Sequence, residues 1–141
     1  MEQISKELLL KDLCARLPYG VYYKHFTWDD EREEECIIAA KIYSINSDGY
    51  VKNCYDDETV YIDNVHPYLF PLSSITIEQE QELLKLGVSY GEYALHDDIR
   101  GLGIMVDEAY IFFEFCYKHH IDFLGLIEMG LAIDATGLNI Y

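Results

Sequence analysis

The residues best placed to do chemistry in this chain are His119, His120 and Asp122, spaced His-His-x-Asp. Imidazole and carboxylate are donors that zinc and other divalent ions accept, and Glu114 or Cys116 could extend the set. Neighbouring residues on a helix point about 100° apart, so both imidazoles reach one ion only if the helix ends there. A histidine at a helix C-terminus also has a simpler role, because it interacts favourably with the dipole. A second group, His96-Asp97-Asp98, has the residue types of an acid/base pair. No motif ties a nucleophile to it, and a polar loop accounts for it as well. Gly101 and Gly103 lack the lysine and the spacing of a phosphate loop, and Ser73-Ser74 reads as turn chemistry. The expectation is no catalytic residue, no cofactor and no metal, with His119, His120 and Asp122 the nearest approach to a ligand set.

The cysteines, Cys14, Cys36, Cys54 and Cys116, form no CxxC pair and no metal-finger spacing. Nothing around them lowers a thiol pKa, so each reads as a small core hydrophobe. The N-terminus starts polar and continues as an amphipathic helix rather than a signal peptide. No apolar run approaches the ~20 residues of a membrane span. The expectation is a cytoplasmic protein with reduced thiols and no membrane partner.

Charge is the strongest signal. Twenty-six acids face ten bases, a formal net charge of −16 on 141 residues. Residues 53–141 contain only three bases, Lys85, Arg100 and Lys118. A nucleic-acid backbone or an anionic membrane would be repelled, whereas a basic protein partner would be attracted. Self-repulsion on this scale predicts that added salt stabilises the fold. Within the first half, Asp29, Asp30, Glu31, Glu33, Glu34 and Glu35 are broken only by Arg32. Such a block reads as a solvated loop, or as a docking surface for Lys and Arg. A smaller block is Asp56-Asp57-Glu58. Tyr19, Tyr22, Tyr23, Trp28, Tyr43, Tyr50, Tyr55, Tyr61 and Tyr68 crowd the same half. Some must enter the core, and those left outside would suit an interface. The candidate contacts are Trp28, Asp29, Asp30, Glu33, Glu34, Asp56 and Asp57.

These residues need elements to hold them. Leu9, Leu13 and Leu17 recur at helical spacing in a helix over 5–16, which Pro18 and Gly20 end. Four strands follow, over 21–26, 36–45, 50–55 and 59–65, with Asn46-Ser-Asp-Gly49 and Asp56-Asp57-Glu58 as turns. Pro67 and Pro71 predict an extended link. Thr76 and Gln79 have capping-box spacing for a helix that Gly87 ends. Its Glu78, Glu80 and Glu82 suit the dipole. Residues 89–105 read as irregular. A helix over 108–119, apolar nearly all round, reads as the element that covers the sheet, and the tail over 121–141 as packed. The fold class expected is α+β in a single domain over 1–141. A small antiparallel sheet or partly open barrel of about four strands is packed by two or three helices.

Three stretches carry a resemblance: Lys11-Asp-Leu-Cys-Ala-Arg-Leu-Pro-Tyr-Gly-Val21; Pro67-Tyr-Leu-Phe-Pro-Leu-Ser-Ser74 with Thr76; and Asp122-Phe-Leu-Gly-Leu-Ile127 leading to Gly130-Leu-Ala-Ile-Asp134. Lying near the start, middle and end, they resemble a family of small uncharacterised proteins of gut anaerobes, their phages and mobile elements. Members often carry Arg where this chain has Phe70 and Leu124. The resemblance implies an accessory role and supplies no catalytic residue. Together these readings lead to a non-catalytic acidic interaction or inhibitor module, anti-defence or DNA-mimic-like, that binds a basic partner. The alternative is a protein that binds and sequesters a small ligand or nucleotide, against which the scarcity of bases in the second half weighs.

Overall fold

The computed structural model describes residues 1–88 and 109–141. His96, Asp97, Asp98, Gly101, Gly103 and the expected irregular stretch lie outside the described residues. Among the described residues, three α-helices, α1 (Gln3–Arg16), α2 (Ile77–Lys85) and α3 (Ala109–Lys118), combine with seven strands. Four form an antiparallel meander: β1 (Tyr22–Asp29), β2 (Glu34–Ile45), β3 (Tyr50–Asn53) and β4 (Thr59–Tyr61). This sheet curls into a half-barrel. The expected α+β class and partly open barrel are therefore what the chain builds.

The first hairpin is longer than the charge pattern suggests. β1 and β2 stay paired out to Asp29 and Glu34, so the acidic block is a tight turn flanked by ladder rather than a long loop. The Asp29 carboxylate closes this turn by accepting the Glu31 and Arg32 N–H groups at 3.0 and 3.3 Å. At the opposite end, Asn46 Oδ1 accepts the N–H groups of Asp48 and Tyr50, and Gly49 sits at φ 89°. A side chain there would be strained in φ and would press its Cβ to 3.2 Å from Ile62. The ladder shifts register between Ile42 and Ser44, a bulge of the kind that sharpens sheet twist and aids curling.

Alternation on the strands decides which face is filled. Val21, Tyr23, Ala40, Ile42 and Val51 turn inward onto Leu9 and Leu13 of α1, all essentially without exposure. Each buried leucine contributes about 2 kcal/mol relative to leaving it in water. The element covering the half-barrel is thus α1, not α3 as its apolar sequence suggested. Ile62, Val65, Leu69, Leu126 and Leu131 join the same cluster, with Leu8, Leu10 and Leu17 packed against it. α3 instead packs Phe112, Phe115 and Cys116 with Leu83 of α2 and with Ile121 and Phe123 in a second apolar cluster.

That second cluster lies beside a small parallel sheet in the order β6 (Ile121–Asp122), β5 (Tyr68–Pro71), β7 (Ile133–Asp134). The predicted extended link is β5, its central strand. The capping box forms as its spacing requires. Thr76 Oγ1 accepts the Gln79 N–H at 3.1 Å, and the Gln79 side chain accepts the Thr76 N–H at 2.9 Å. Among the described residues no helix is long and apolar enough to cross a membrane.

Arg16 ties the two clusters together. Its fully buried guanidinium holds both oxygens of Asp12, at 2.7 and 3.1 Å. It also donates to the Ile121 and Cys116 carbonyls at 2.7 and 3.1 Å. One cation thereby satisfies a buried carboxylate and two backbone acceptors that would otherwise be costly to leave unpaired.

Candidate interaction surface

In a meander, the first and third turns fall at the same end of the sheet. Both acidic blocks therefore lie toward one end of the half-barrel: the β1–β2 turn with Asp30, Glu31, Glu33 and Glu34, and the β3–β4 turn with Asp57 and Glu58, the first hairpin projecting beyond the second because β3 leaves the ladder opposite Ile42 while β1 stays paired to Glu34. All six are exposed. The neighbouring base, Arg32, lies 3.8 Å from Asp29 and 3.9 Å from Glu34 and is itself exposed, so its screening of the turn is weak.

Directly below the first turn is an apolar patch. Trp28, Phe26 and Ile37 face outward and are exposed by 59, 50 and 54 %. Phe26 pairs with Ile37, and Trp28 pairs with Glu35. Exposed aromatics under a charged rim have the composition of an interface core and its edge. Tyr43 and Tyr55 are also exposed, whereas Tyr23 and Tyr68 belong to the core. The sequence left open how the tyrosines divide, and strand alternation divides them.

The seven candidate contacts separate accordingly. Trp28, Asp29, Asp30, Glu33 and Glu34 share the first hairpin, with Asp29 half-buried and spent on closing its turn. Asp57 is exposed on the second turn. Asp56 is engaged internally, in a closed ring of hydrogen bonds with His25, Tyr23 and Asn53. Asn53 Oδ1 accepts the Tyr55 and Asp56 N–H groups, both at 2.8 Å, which fixes the orientation of its amide. Its NH2 then donates to the Tyr23 hydroxyl at 2.9 Å and to Asp56 Oδ1 at 3.1 Å. The fully buried Tyr23 hydroxyl must place its own proton, and His25 Nδ1 lies 3.2 Å away. The imidazole proton is left on Nε2, which donates to Asp56 Oδ2 at 2.8 Å. Burial works to raise the Asp56 carboxyl, but hydrogen bonds from His25, Asn53 and the Glu58 N–H together hold it below its ordinary value.

His25, Asp56 and Glu58 bring potential ligand atoms within 4.8 Å of one another, the spacing of a cation site. In the ring, His25 Nε2 and Asp56 Oδ2 are already each other's partners at 2.8 Å. Tyr23 and His25 are 0 and 2 % exposed, and their polar atoms are engaged with one another, with Asn53 and with Asp56. The ring's role is to pin the second acidic turn to β1. Sequence reading missed it, although a signal existed. Tyr23, His25 and Thr27 occupy the inward positions of an alternating strand, where a histidine needs partners.

His119, His120 and Asp122 go to separate partners. His119 Nε2 lies 3.0 Å from the Glu82 carboxylate, which also meets Lys118 at 3.3 Å. His120, at φ 59°, stacks on Tyr141 with ring centroids 3.7 Å apart and planes 11° from parallel. Burial, aided by the positive charges of Arg16 and His119, lowers the His120 pKa to about 4. Asp122 accepts the Leu126 and Ile127 N–H groups, both at 2.9 Å, and so closes the turn after β6. The cysteines also differ from expectation. Only Cys116 is a core residue, its thiol pushed up to about 12 by burial, while Cys14 and Cys54 are exposed and Cys36 is half-buried. Their positions on helix, strand and turn, not their residue type, set this.

A cavity of about 370 Å³ beside α2 and α3 is lined by Tyr19, Glu82, Tyr110, Glu114, Phe115 and Lys118, among others. Two carboxylates against one ammonium make it a poor fit for a phosphate-bearing ligand. No family model, no curated protein and no solved structure matches the chain.

Proposed function

We propose that this chain is a non-catalytic protein-interaction or inhibitor module, acting in the cytoplasm, that engages a basic partner through the acidic rim of its half-barrel. The observation that carries this is the first acidic turn directly above exposed Trp28, Phe26 and Ile37, with the second acidic turn toward the same end of the sheet. The rim would raise the encounter rate with a Lys/Arg surface, and the aromatic patch would hold the docked complex. Mimicry of DNA toward a nucleic-acid-binding protein is a special case of the same chemistry. The resemblance to proteins of phages and mobile elements supports an accessory, anti-defence setting for it.

The test is affinity capture from a cell lysate with the whole chain, at low and at high salt. The proposal expects retained proteins to be basic and to be lost at high salt, because exposed charge pairs are screened beyond about 10 Å at 0.1 M ionic strength. Capture that survives high salt unchanged, or retained proteins without basic character, would contradict it.

A further inference from the structure

Among the described residues, the half-barrel is unclosed along one seam, which leaves part of the β1 edge without a strand partner. Hydrogen bonding alternates along β1. The Val21 carbonyl accepts the Ile42 N–H of β2 at 2.9 Å, so odd-numbered residues of β1 bond inward to the ladder. Even-numbered residues point their N–H and C=O groups the other way. Tyr22 N–H is taken by the Tyr141 hydroxyl at 3.1 Å, and Lys24 N–H by the His66 carbonyl at 3.0 Å. A single antiparallel bridge, Tyr23 to Pro67, covers this part of the edge. Beyond it, at Phe26 and Trp28, no described residue meets the backbone groups. A groove of about 280 Å³ runs along the seam, with Lys24, His25 and Phe26 on one side and Glu58, Val60 and His66 on the other.

We propose that this seam receives an extended basic segment of the partner, which pairs with β1 at Phe26 and Trp28 and continues the strand pairing that residues 66–67 begin. The inference rests on the acidic-rim reading and adds the mode of recognition. Edge strands with unpaired backbone groups are templates for strand addition, and alternate side chains of the added strand give specificity. The open edge spans room for a strand of about four residues, at the usual rise per residue. Charge complementarity selects the occupant. Glu58 lines the groove and is 64 % exposed, and β1 runs on from the groove into the turn that carries the exposed Asp30, Glu31, Glu33 and Glu34, so Lys or Arg in a segment paired at Phe26 and Trp28 would lie between carboxylates.

The test uses the whole isotope-labelled chain and two synthetic probes. One is a short peptide of alternating Lys and Val. The other has the same side chains with alternate backbone nitrogens methylated, which keeps the charge and removes the N–H groups of one edge. The seam reading expects amide exchange at Phe26 and Trp28 to slow by at least about tenfold on adding the first peptide, and the methylated peptide to bind at least about tenfold more weakly. Equal binding of both peptides with unchanged Phe26 and Trp28 exchange would overturn the seam and leave the acidic-rim reading standing. Failure of both peptides to bind at low salt would overturn the two readings together. Protection that appears without peptide as protein concentration rises, together with dimer by light scattering, would overturn the peptide in favour of a second copy of the chain.

Discussion

Trp28 and Glu35 stand directly opposite one another across the β1–β2 ladder, on the outward face of the half-barrel. The exposed aromatic and the acidic turn are therefore one structural unit, fixed in register. A partner drawn by the carboxylates arrives with an indole ring beside them.

Replacing Trp28 with Ala should separate binding from folding. Its side chain is exposed in the free chain, so stability should change by no more than about 0.5 kcal/mol. Affinity for the captured partner should fall by about 2 kcal/mol or more if the indole is an interface anchor. Thermal unfolding and calorimetric titration of the same variant measure both. An unchanged affinity would remove Trp28 from the interface.

The two adjacent acids of the second turn should behave differently. Asp56→Ala leaves His25 Nε2–H and one Asn53 N–H without their acceptor, and should destabilise the fold by roughly 1–3 kcal/mol. Asp57→Ala removes an exposed charge and should stay within about 0.5 kcal/mol. Denaturant melts of the two variants check this. Equal stabilities would show that the ring does not hold the turn.

Arg16→Met should cost about 3–5 kcal/mol, because it abandons the buried Asp12 carboxylate. Burial already pushes the Asp12 carboxyl above its ordinary value despite the adjacent guanidinium. Replacing both partners, Asp12→Leu with Arg16→Met, should therefore cost less than Arg16→Met alone. A double variant no more stable than the single would contradict that reading of the pair.

Acid sensitivity should begin with His120. Its folded pKa of about 4 lies below the 6.5 of the unfolded chain, so the unfolded state takes up a proton first. The neutral buried ring contributes its full stability above pH 6.5, and that contribution falls as pH drops toward 4, by on the order of 3 kcal/mol. The depressed Asp56 carboxyl adds a further loss below its ordinary 3.8. Asn tolerates the left-handed backbone at this position, so His120→Asn should fold and should flatten the stability profile between pH 6.5 and 4. An unchanged slope would assign the acid transition to other groups.

Much of the half-barrel was legible because its signals are local. The turn at Gly49 and the capping box at Thr76 and Gln79 each lie within four residues of sequence, and the helix and strand periods flank them. The parallel sheet was not legible. β6 and β7 are two residues each, too short to show alternation, and β5 follows Pro67 and ends at Pro71. The rim was read as two acidic blocks, and placing them toward one end of the sheet required only the meander. The ring and the Arg16 junction were hidden by distance along the chain. His25 meets Asp56 31 positions away, and Arg16 meets Ile121 105 positions away. No local pattern encodes such pairs, and a lone inward-facing polar residue is the only trace they leave.

The most direct measurement compares two sets of neutralised acids. One variant carries Asp30→Asn, Glu33→Gln and Glu34→Gln at the rim. The other carries Glu78→Gln, Glu80→Gln and Glu128→Gln, removing the same formal charge elsewhere on the chain. Binding to the captured basic partner is titrated at about 0.1 M salt, where the Debye length is about 10 Å. The rim variant should lose at least about tenfold in affinity while the distal variant stays near wild type, since screening confines the attraction to nearby charges. Equal losses in both would show that net charge alone attracts the partner, and would contradict an interface at the acidic rim.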